Sequence, residues 1–313
     1  MIEKPDRCHL SYTLASLARQ NFKNFEVIIA DCLYATRFRE PFDTYGLDVY
    51  HVPVESQWIE RGYPAISASR NAGITFAESE LVVFVDDCSL LPDYALECYV
   101  YWYKKKKAFA NALHIRMRGD KAVGFDTRFE LLQPNGPSRF RFNSFGVCGY
   151  MSASLEACLK LNGFDEAFDG SRQLEDGDFG TRLRAAGYNL VIDRELVVYE
   201  QEHGGPIAPN GSLYRNPPRC NGPWAWWRND DRPGEFAANT RDWTEDERRR
   251  VRPCSYLDGR ICRYIGRECN MWGADGRHTH IDVPDEFLTA PVFDLTARRE
   301  RALQGKEHYR VIG

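Results

Sequence analysis

Several features that would narrow the function at once are missing from these 313 residues. No apolar run approaches the ~20 residues that a membrane-spanning helix needs. No basic-then-apolar leader opens the chain. Both absences set the expectation of a soluble, cytoplasmic protein. The ten cysteines include no Cys-x-x-Cys pair. Scattered thiols in apolar segments of a cytosolic protein read as free and buried, not as a disulfide framework. No basic, glycine-rich triphosphate loop lies near the N-terminus, which argues against a nucleotidyltransferase. A net charge of −4 gives no global reason to expect nucleic acid or an anionic membrane.

What is present is best organised by Ser69 to Pro92. Ala68 to Ala77 reads as a short helix with Ser67 as its N-cap. Leu81 to Val85 is five apolar residues in a row, the pattern of a strand covered on both faces. Asp86 and Asp87 follow where that strand ends. Open α/β sheets place their ligands at such strand ends. Two adjacent carboxylates there repel each other and are costly to desolvate, and a divalent cation relieves both problems. Mg2+ and Mn2+ prefer oxygen ligands and bridge carboxylates to a diphosphate. The plain alternative is a solvated loop after a strand.

Arg70-Asn71-x-Gly73-Ile74, then Ala77-x-x-Glu80, then an apolar strand into Asp86-Asp87, resembles the nucleotide-sugar half of the GT-A glycosyltransferases, with the inverting family 2 most similar. The resemblance runs from about Arg7 to His203. It implies an α/β fold: a Rossmann-like, mostly parallel sheet flanked by helices, here followed by an irregular C-terminal extension. The expected division is a glycosyltransferase domain over residues 1–205 and an acceptor-side or assembly region over 206–313. The family opens with an apolar strand that is central to its sheet. Met1 to Asp6 holds no such strand, so either these residues do its work poorly or the natural start lies upstream.

Along the chain, Arg7 to Arg19 reads as a helix with Leu10, Leu14 and Leu17 at helical spacing. Glu26 to Ala30 and Asp48 to Pro53 read as strands. Asp31 ends the first of them; by resemblance its carboxylate reads the nucleotide base, and the alternative is a turn or helix-capping residue. Cys32 stands where the family has a second acid. A loop with Trp58 and Tyr63 follows. Arg70, by resemblance, faces the nucleotide, where a guanidinium grips diphosphate or base oxygens; otherwise it is an ordinary surface arginine. Pro92 to Lys106 reads as a helix with lysines in its last turn. Phe109 to Ile115 reads as a strand, Arg116 to Arg139 as a loop region over the site, Gly146 to Met151 as a strand, and Ser152 to Leu161 as a helix closed by Asn162-Gly163.

Gly163-Phe164-Asp165-Glu166 again resembles the family, as does Glu175-Asp176-x-Asp178 at a helix start. Acids suit that position through the helix dipole, yet three in four positions exceed what capping needs. An acceptor hydroxyl is a poor nucleophile near neutral pH, and a carboxylate within hydrogen-bond reach takes its proton as it attacks. By resemblance Asp176 is that base, Glu175 orients acceptor or donor, and attack opposite the diphosphate inverts the anomeric centre. Val197 to Tyr199 reads as a strand, and His203 soon after it is, by resemblance, a metal contact; otherwise it is a loop histidine. The common Asp-x-Asp motif is here Asp86-Asp87-Cys88, taken with Asp86 towards ribose and Asp87 on the metal.

After Gly205 prolines break regular structure. Trp224, Trp226 and Trp227 suit either sugar stacking or junction packing. Thr244 to Glu247 has a capping-box pattern, Tyr256 to Ile261 reads as a hairpin, and Ala297 to Gln304 as an exposed terminal helix. Cys220, Cys254, Cys262, Cys269, His278 and His280 are too widely spaced to argue strongly for zinc. The resulting expectation is a metal-dependent, inverting transferase using a nucleotide-sugar donor, UDP-linked by preference, with Mn2+ or Mg2+. The rival is a degenerate sugar-nucleotide- or glycan-binding module. The acceptor is open between glycan, protein and hydroxymethylated viral DNA. The Lys104 to Lys107 run reads as a solvated helix end or a local nucleic-acid track.

Overall fold

The computed structural model describes residues 9–38, 41–56, 59, 65–125, 140–142, 150–166, 169, 175–201, 257–258, 261–262, 267–268 and 294–311. His203, Trp58, Tyr63, the tryptophans at 224, 226 and 227, the Thr244 segment and the cysteines and histidines of 220, 254, 269, 278 and 280 lie outside them.

In chain order the elements are α1 (Leu10–Ala18), β1 (Val27–Asp31), α2 (Tyr34–Arg37), β2 (Val49–Pro53), α3 (Ile66–Phe76), β3 (Leu81–Val83), β4 (Ser89–Leu90), α4 (Ala95–Lys106), β5 (Ala108–Arg118), β6 (Lys121–Phe125), β7 (Phe140–Phe142), β8 (Ser152–Ser154), α5 (Leu155–Lys160), α6 (Glu175–Ala185) and β9 (Asn189–Gln201). A three-strand antiparallel meander at 257–268 follows, with Asp258 opposite Ile261 as a hairpin requires, and then α7 (Leu295–Gln304) with one 3-10 turn (Lys306–Tyr309).

The architecture is α/β, as expected, with mixed strand directions among the described ladders. The longest pairing is β5 parallel to β9, with β6 antiparallel on the far edge of β5 and β4 and β7 antiparallel to β9. β1 pairs β2 in parallel, and β3 pairs β8 antiparallel. Arg116 to Phe125, expected as loop, instead forms the end of β5 and the β6 hairpin around Gly119, whose φ is +57°. Ser152 to Ser154, expected to open a helix, is strand β8; the helix begins one residue later because Ser154 Oγ accepts the Ala157 N–H at 3.1 Å.

One core lies where α1 and α4 cover β5 and β9. Leu14, Tyr99, Trp102, Ala110, Val191 and Val198 are buried together there. Gln20 fastens the two helices: its amide donates to the Pro92 carbonyl at 2.8 Å and accepts the Leu96 N–H at 3.0 Å. Trp102 Nε1 donates to Asp193 Oδ2 at 2.7 Å, so neither polar group is buried alone. A second core gathers Ile74, Phe84, Phe164, Phe179, Leu183 and Leu295 under α3, α5, α6 and α7. The terminal helix is therefore not simply exposed. Leu295 is fully buried, its N–H donates to Asn162 Oδ1 at 2.8 Å, and Arg299 covers the Ala77 carbonyl at the end of α3 at 2.8 Å. Behind it, buried Lys306 pairs with Glu26 and, at 2.7 Å, with Glu78, while Val311 N–H bonds the Val49 carbonyl on the edge of β2.

Candidate functional site

The second core sets the floor of the site. Phe164 lies 4.3 Å from Phe179 and 5.2 Å from Phe84, ring centre to ring centre. Above this aromatic floor Arg70 crosses from α3, its guanidinium carbon 5.1 Å from the Phe164 centroid. Its Nη1 donates to Glu175 Oε1 at 2.8 Å, joining two segments 105 residues apart. Burial works against the Arg70 charge, but Glu175, Asp86 and Asp176 together outweigh it and hold the guanidinium above its usual range. The four sequence-singled residues Arg70, Asp86, Glu175 and Asp176 thus share one electrostatic neighbourhood. Three of them, with Asp87, line a cavity of about 1060 Å3.

α3 is fixed to the Gly163–Glu166 motif by Asn71, a motif residue to which the sequence alone assigns no role. Asn71 Nδ2 donates to the Phe164 carbonyl at 2.9 Å and to Glu166 Oε1 at 3.0 Å, and its Oδ1 accepts the Phe164 N–H at 2.8 Å. Gly163 makes this possible. Its φ is +67°, and a Cβ there would sit 2.3 Å from Asn71 Oδ1. Asn162, also at positive φ, and Gly163 close α5, as the sequence implied. Arg182 on α6 completes the brace by donating to the Leu161 and Gly163 carbonyls at 2.8 and 2.9 Å.

The start of α3 differs from expectation. Ser67 is inside the helix, and the first turn is capped from a distance. Asp169 Oδ1 accepts the Ser67 N–H at 2.7 Å and Oδ2 the Ala68 N–H at 3.0 Å. A carboxylate on two open helix amides satisfies donors that no intrahelical partner reaches. Burial nonetheless pushes the Asp169 carboxyl well up and Glu166 adds to this, while the two amides pull it down. No local sequence signal marks Asp169, because its partners lie a hundred residues earlier.

The acid pair sits on a short turn between β3 and β4. Thr13 of α1 holds that turn from both sides: its Oγ1 donates to the Asp87 carbonyl at 2.9 Å and accepts the Ser89 N–H at 3.0 Å. Ser89 Oγ donates to the Tyr150 hydroxyl at 2.9 Å. Cys88 is buried, and its carbonyl accepts the N–H of Gln201 at 2.9 Å, so the end of β9 lies beside the acid pair. Burial pushes the Cys88 thiol strongly up, with Asp86, Asp87 and Glu200 adding to it. This setting favours the thiol over the thiolate. Glu200 itself lies 3.8 Å from His114.

Asp31 is placed differently from the rest. It is fully buried, Oδ1 accepts the Leu33 N–H at 2.8 Å, and Oδ2 lies 3.0 Å from His51 Nε2. Both oxygens are committed to holding the turn after β1. These are contacts that a turn residue makes. His203, expected on the metal, is outside the described residues; Gln201, two residues earlier, ends the described strand.

Among the described residues no three His, Cys, Asp or Glu side chains gather so as to hold a metal ion by themselves. Asp86 and Asp87 side by side at the cavity wall still offer the hard oxygen donors that Mg2+ or Mn2+ takes when a diphosphate supplies the rest. Among the described residues no helix is long and apolar enough to cross a membrane.

No protein-family model matches the chain, and no curated protein matches it. Among solved structures it is similar to S. aureus TarS, at 16% identity and a TM-score of 0.45 over 62% of this chain and 34% of that one. It is also similar to GalNAc-T7, crystallised with UDP, GalNAc and Mn2+, at 12% identity and a TM-score of 0.48 over 67% of this chain and 43% of that one. The chain thus spans between a third and a half of the length of each.

Proposed function

We propose that the chain is a GT-A-type glycosyltransferase that moves a sugar from a nucleotide donor, UDP-linked by preference, to an acceptor hydroxyl with inversion. One observation carries the reading. Arg70 and Glu175, from two motifs far apart in sequence, form a buried ion pair with Asp86 and Asp176 in the same field, beside a cavity large enough for a nucleotide sugar. Clustered acids around a single guanidinium exceed what helix capping requires.

In this reading Asp176 takes the acceptor proton, and Glu175 fixes Arg70 while orienting the sugar. Asp176 Oδ1 accepts the Gly177 N–H at 2.8 Å, which fixes the orientation of the carboxylate. Arg70 faces the charge that grows on the departing diphosphate. Asp87 would hold Mn2+ or Mg2+, with Asp86 towards the ribose. A bound cation there supplies neutralisation of the leaving nucleoside diphosphate. His203 follows Gln201 by two residues, a reach of at most about 7 Å, and Gln201 is bonded to Cys88; a metal contact from His203 fits that reach. Asp31 supports the turn after β1 instead of touching the base. Residues 206–313 are proposed to serve the acceptor side or assembly.

A second reading is a sugar-nucleotide-binding module without turnover. Neutral, buried Cys88 favours it, since that position offers no oxygen to a cation. The deciding experiment measures UDP release from a panel of UDP-sugars with Mn2+ and acceptor candidates, beside Asp176→Asn. Turnover abolished by the substitution establishes the enzyme; donor binding with no turnover in either protein establishes the module.

A further inference from the structure

Three neighbouring residues of α7 land on the segments that build the site. Leu295 N–H donates to Asn162 Oδ1 at 2.8 Å, and its side chain stands 2.8 Å from where a Cβ on Gly163 would lie. Arg299 Nη2 donates to the Ala77 carbonyl at the end of α3 at 2.8 Å. Between them Arg298 Nη1 donates to Glu166 Oε1, also at 2.8 Å. That same oxygen accepts the Asn71 Nδ2 proton at 3.0 Å. One carboxylate oxygen therefore ties α7 to the middle of α3. Asn71 directly follows Arg70. Its remaining bonds hold the backbone of Phe164, whose ring lies 5.1 Å beneath the Arg70 guanidinium.

We propose that Arg298 is a positioning residue: through Glu166 and Asn71 it sets where Arg70 stands above the Phe164 ring, and so how Arg70 grips the donor diphosphate. The last clause rests on the reading of Arg70 as a diphosphate ligand. Arg298 lies outside the cavity wall that Arg70 lines, so it acts through the residues between. Charge makes the joint sensitive. Burial pushes the Glu166 carboxyl up, Arg298 and then Asn71 pull it down, and Asp165 adds to the rise. Arg298 faces Glu166 from α7 and neutral Asn71 faces it from α3, while the acids Asp165 and Asp169 stand beside it on its own segment. Without Arg298 the Glu166 carboxyl rises further. Below that shifted value the protonated acid still accepts from Asn71. Above it, a carboxylate without its cation draws in water, and the hold on Asn71 and α3 loosens. The contribution of Arg298 is therefore lost as pH falls through the Glu166 value and fully present above it. Displacing a gripping group by about 1 Å is worth as much as a hundredfold.

The test measures the affinity of the full chain for UDP with Mn2+ by calorimetry between about pH 5 and 8. Arg298→Gln is expected to weaken binding about tenfold at the alkaline end and at most about threefold at the acid end, part of what a full misplacement costs. Arg298→Lys keeps the charge and is expected to stay within about threefold of wild type throughout. Adding Glu166→Gln to Arg298→Gln removes the stranded charge and is expected to erase the pH dependence of the loss. Arg310→Gln opens an exposed pair with Asp48 further along the chain and is expected to leave UDP affinity unchanged. Wild-type affinity in Arg298→Gln, a loss that is flat across pH, or an equal loss in Arg310→Gln overturns the inference. A wild-type chain that binds no UDP sinks the donor reading and leaves the brace to a second measurement, because the Phe164 N–H is bonded to Asn71 Oδ1. Faster amide exchange at Phe164 in Arg298→Gln than in wild type at the same pH, cancelled by Glu166→Gln, upholds the brace. Unchanged protection there overturns it.

Discussion

Arg70 Nη1 and Glu175 Oε1 meet at 2.8 Å, with 12% and 9% of their side chains exposed. A pair so covered behaves unlike a surface ion pair. Removing one partner leaves the other charge buried, and that penalty runs to about 3–5 kcal/mol. Arg70→Met is expected to lower kcat/KM for the UDP-sugar by at least about a hundredfold and also to lower Tm, whereas Arg70→Lys keeps the charge but loses the planar fork. Steady-state kinetics beside thermal melts separates the two effects.

Asp176→Asn leaves shape and bulk unchanged and removes the proposed proton acceptor. Transfer is expected to fall about 10²–10⁴-fold, the usual worth of a general base. UDP binding by calorimetry is expected to stay within about threefold, because the proposed role of Asp176 is on the acceptor side.

Thr13 carries no role in the proposed chemistry, yet its one oxygen holds both ends of the turn carrying Asp86 and Asp87. Thr13→Val keeps the shape and loses both bonds at a cost of roughly 1–3 kcal/mol. The expected signature is weakened Mn2+ dependence, read as a raised metal concentration for half-maximal activity, with KM for acceptor unmoved. Thr13→Ser restores it. A merely structural role would lower Tm without shifting the metal titration.

Gly163→Ala asks a side chain to enter a left-handed backbone and to occupy the position of Asn71 Oδ1. The backbone alone costs roughly 1–2 kcal/mol, and the displaced Asn71 adds the loss of its bonds to Phe164. Chemical denaturation is expected to show a drop in stability above about 2 kcal/mol. Gly73→Ala, where nothing lies near a Cβ, is expected to be neutral or stabilising.

Lys306 is the alkaline sensor of the fold. Burial lowers its pKa, but Glu26 and Glu78 outweigh that and hold the folded value above the free one. A raised lysine contributes stability that is fully present below its unfolded value of about 10.4 and lost as pH rises through the folded value. Melting temperature is therefore expected to owe this contact a constant amount from pH 6 to 9 and to fall beyond pH 10. Lys306→Met is expected to melt lower at pH 7 and to lack that alkaline component.

What could be read from the sequence was whatever is local. The leucine spacing of α1, the lysine-tipped α4, the Asn162-Gly163 stop and the Asp258 hairpin each carry their signal within a few residues. Arg70, Asp86, Glu175 and Asp176, singled out from separate motifs, lie in one electrostatic neighbourhood. Ser67 was misassigned because Asp169, its real partner, is brought up by tertiary folding. Ser152 to Ser154 is strand because β3 offers it an edge, overriding weak local preference. The burial of Asp31 beside His51 cannot be read from a strand-end acid. The apolar runs of β1 and β3 implied full cover, yet several of their residues are half-buried, which a local pattern does not show.

Arg299 closes the Ala77 carbonyl from 222 residues further along the chain. At a synthesis rate of about 5–20 residues per second, that partner emerges roughly 10 to 45 seconds after the helix it completes. Throughout that interval the nascent segment bearing Arg70 has an open carboxyl end and a bare apolar flank where Leu295 will sit. For this protein, then, the ribosome's timetable governs how long the helix bearing Arg70 must be shielded from aggregation.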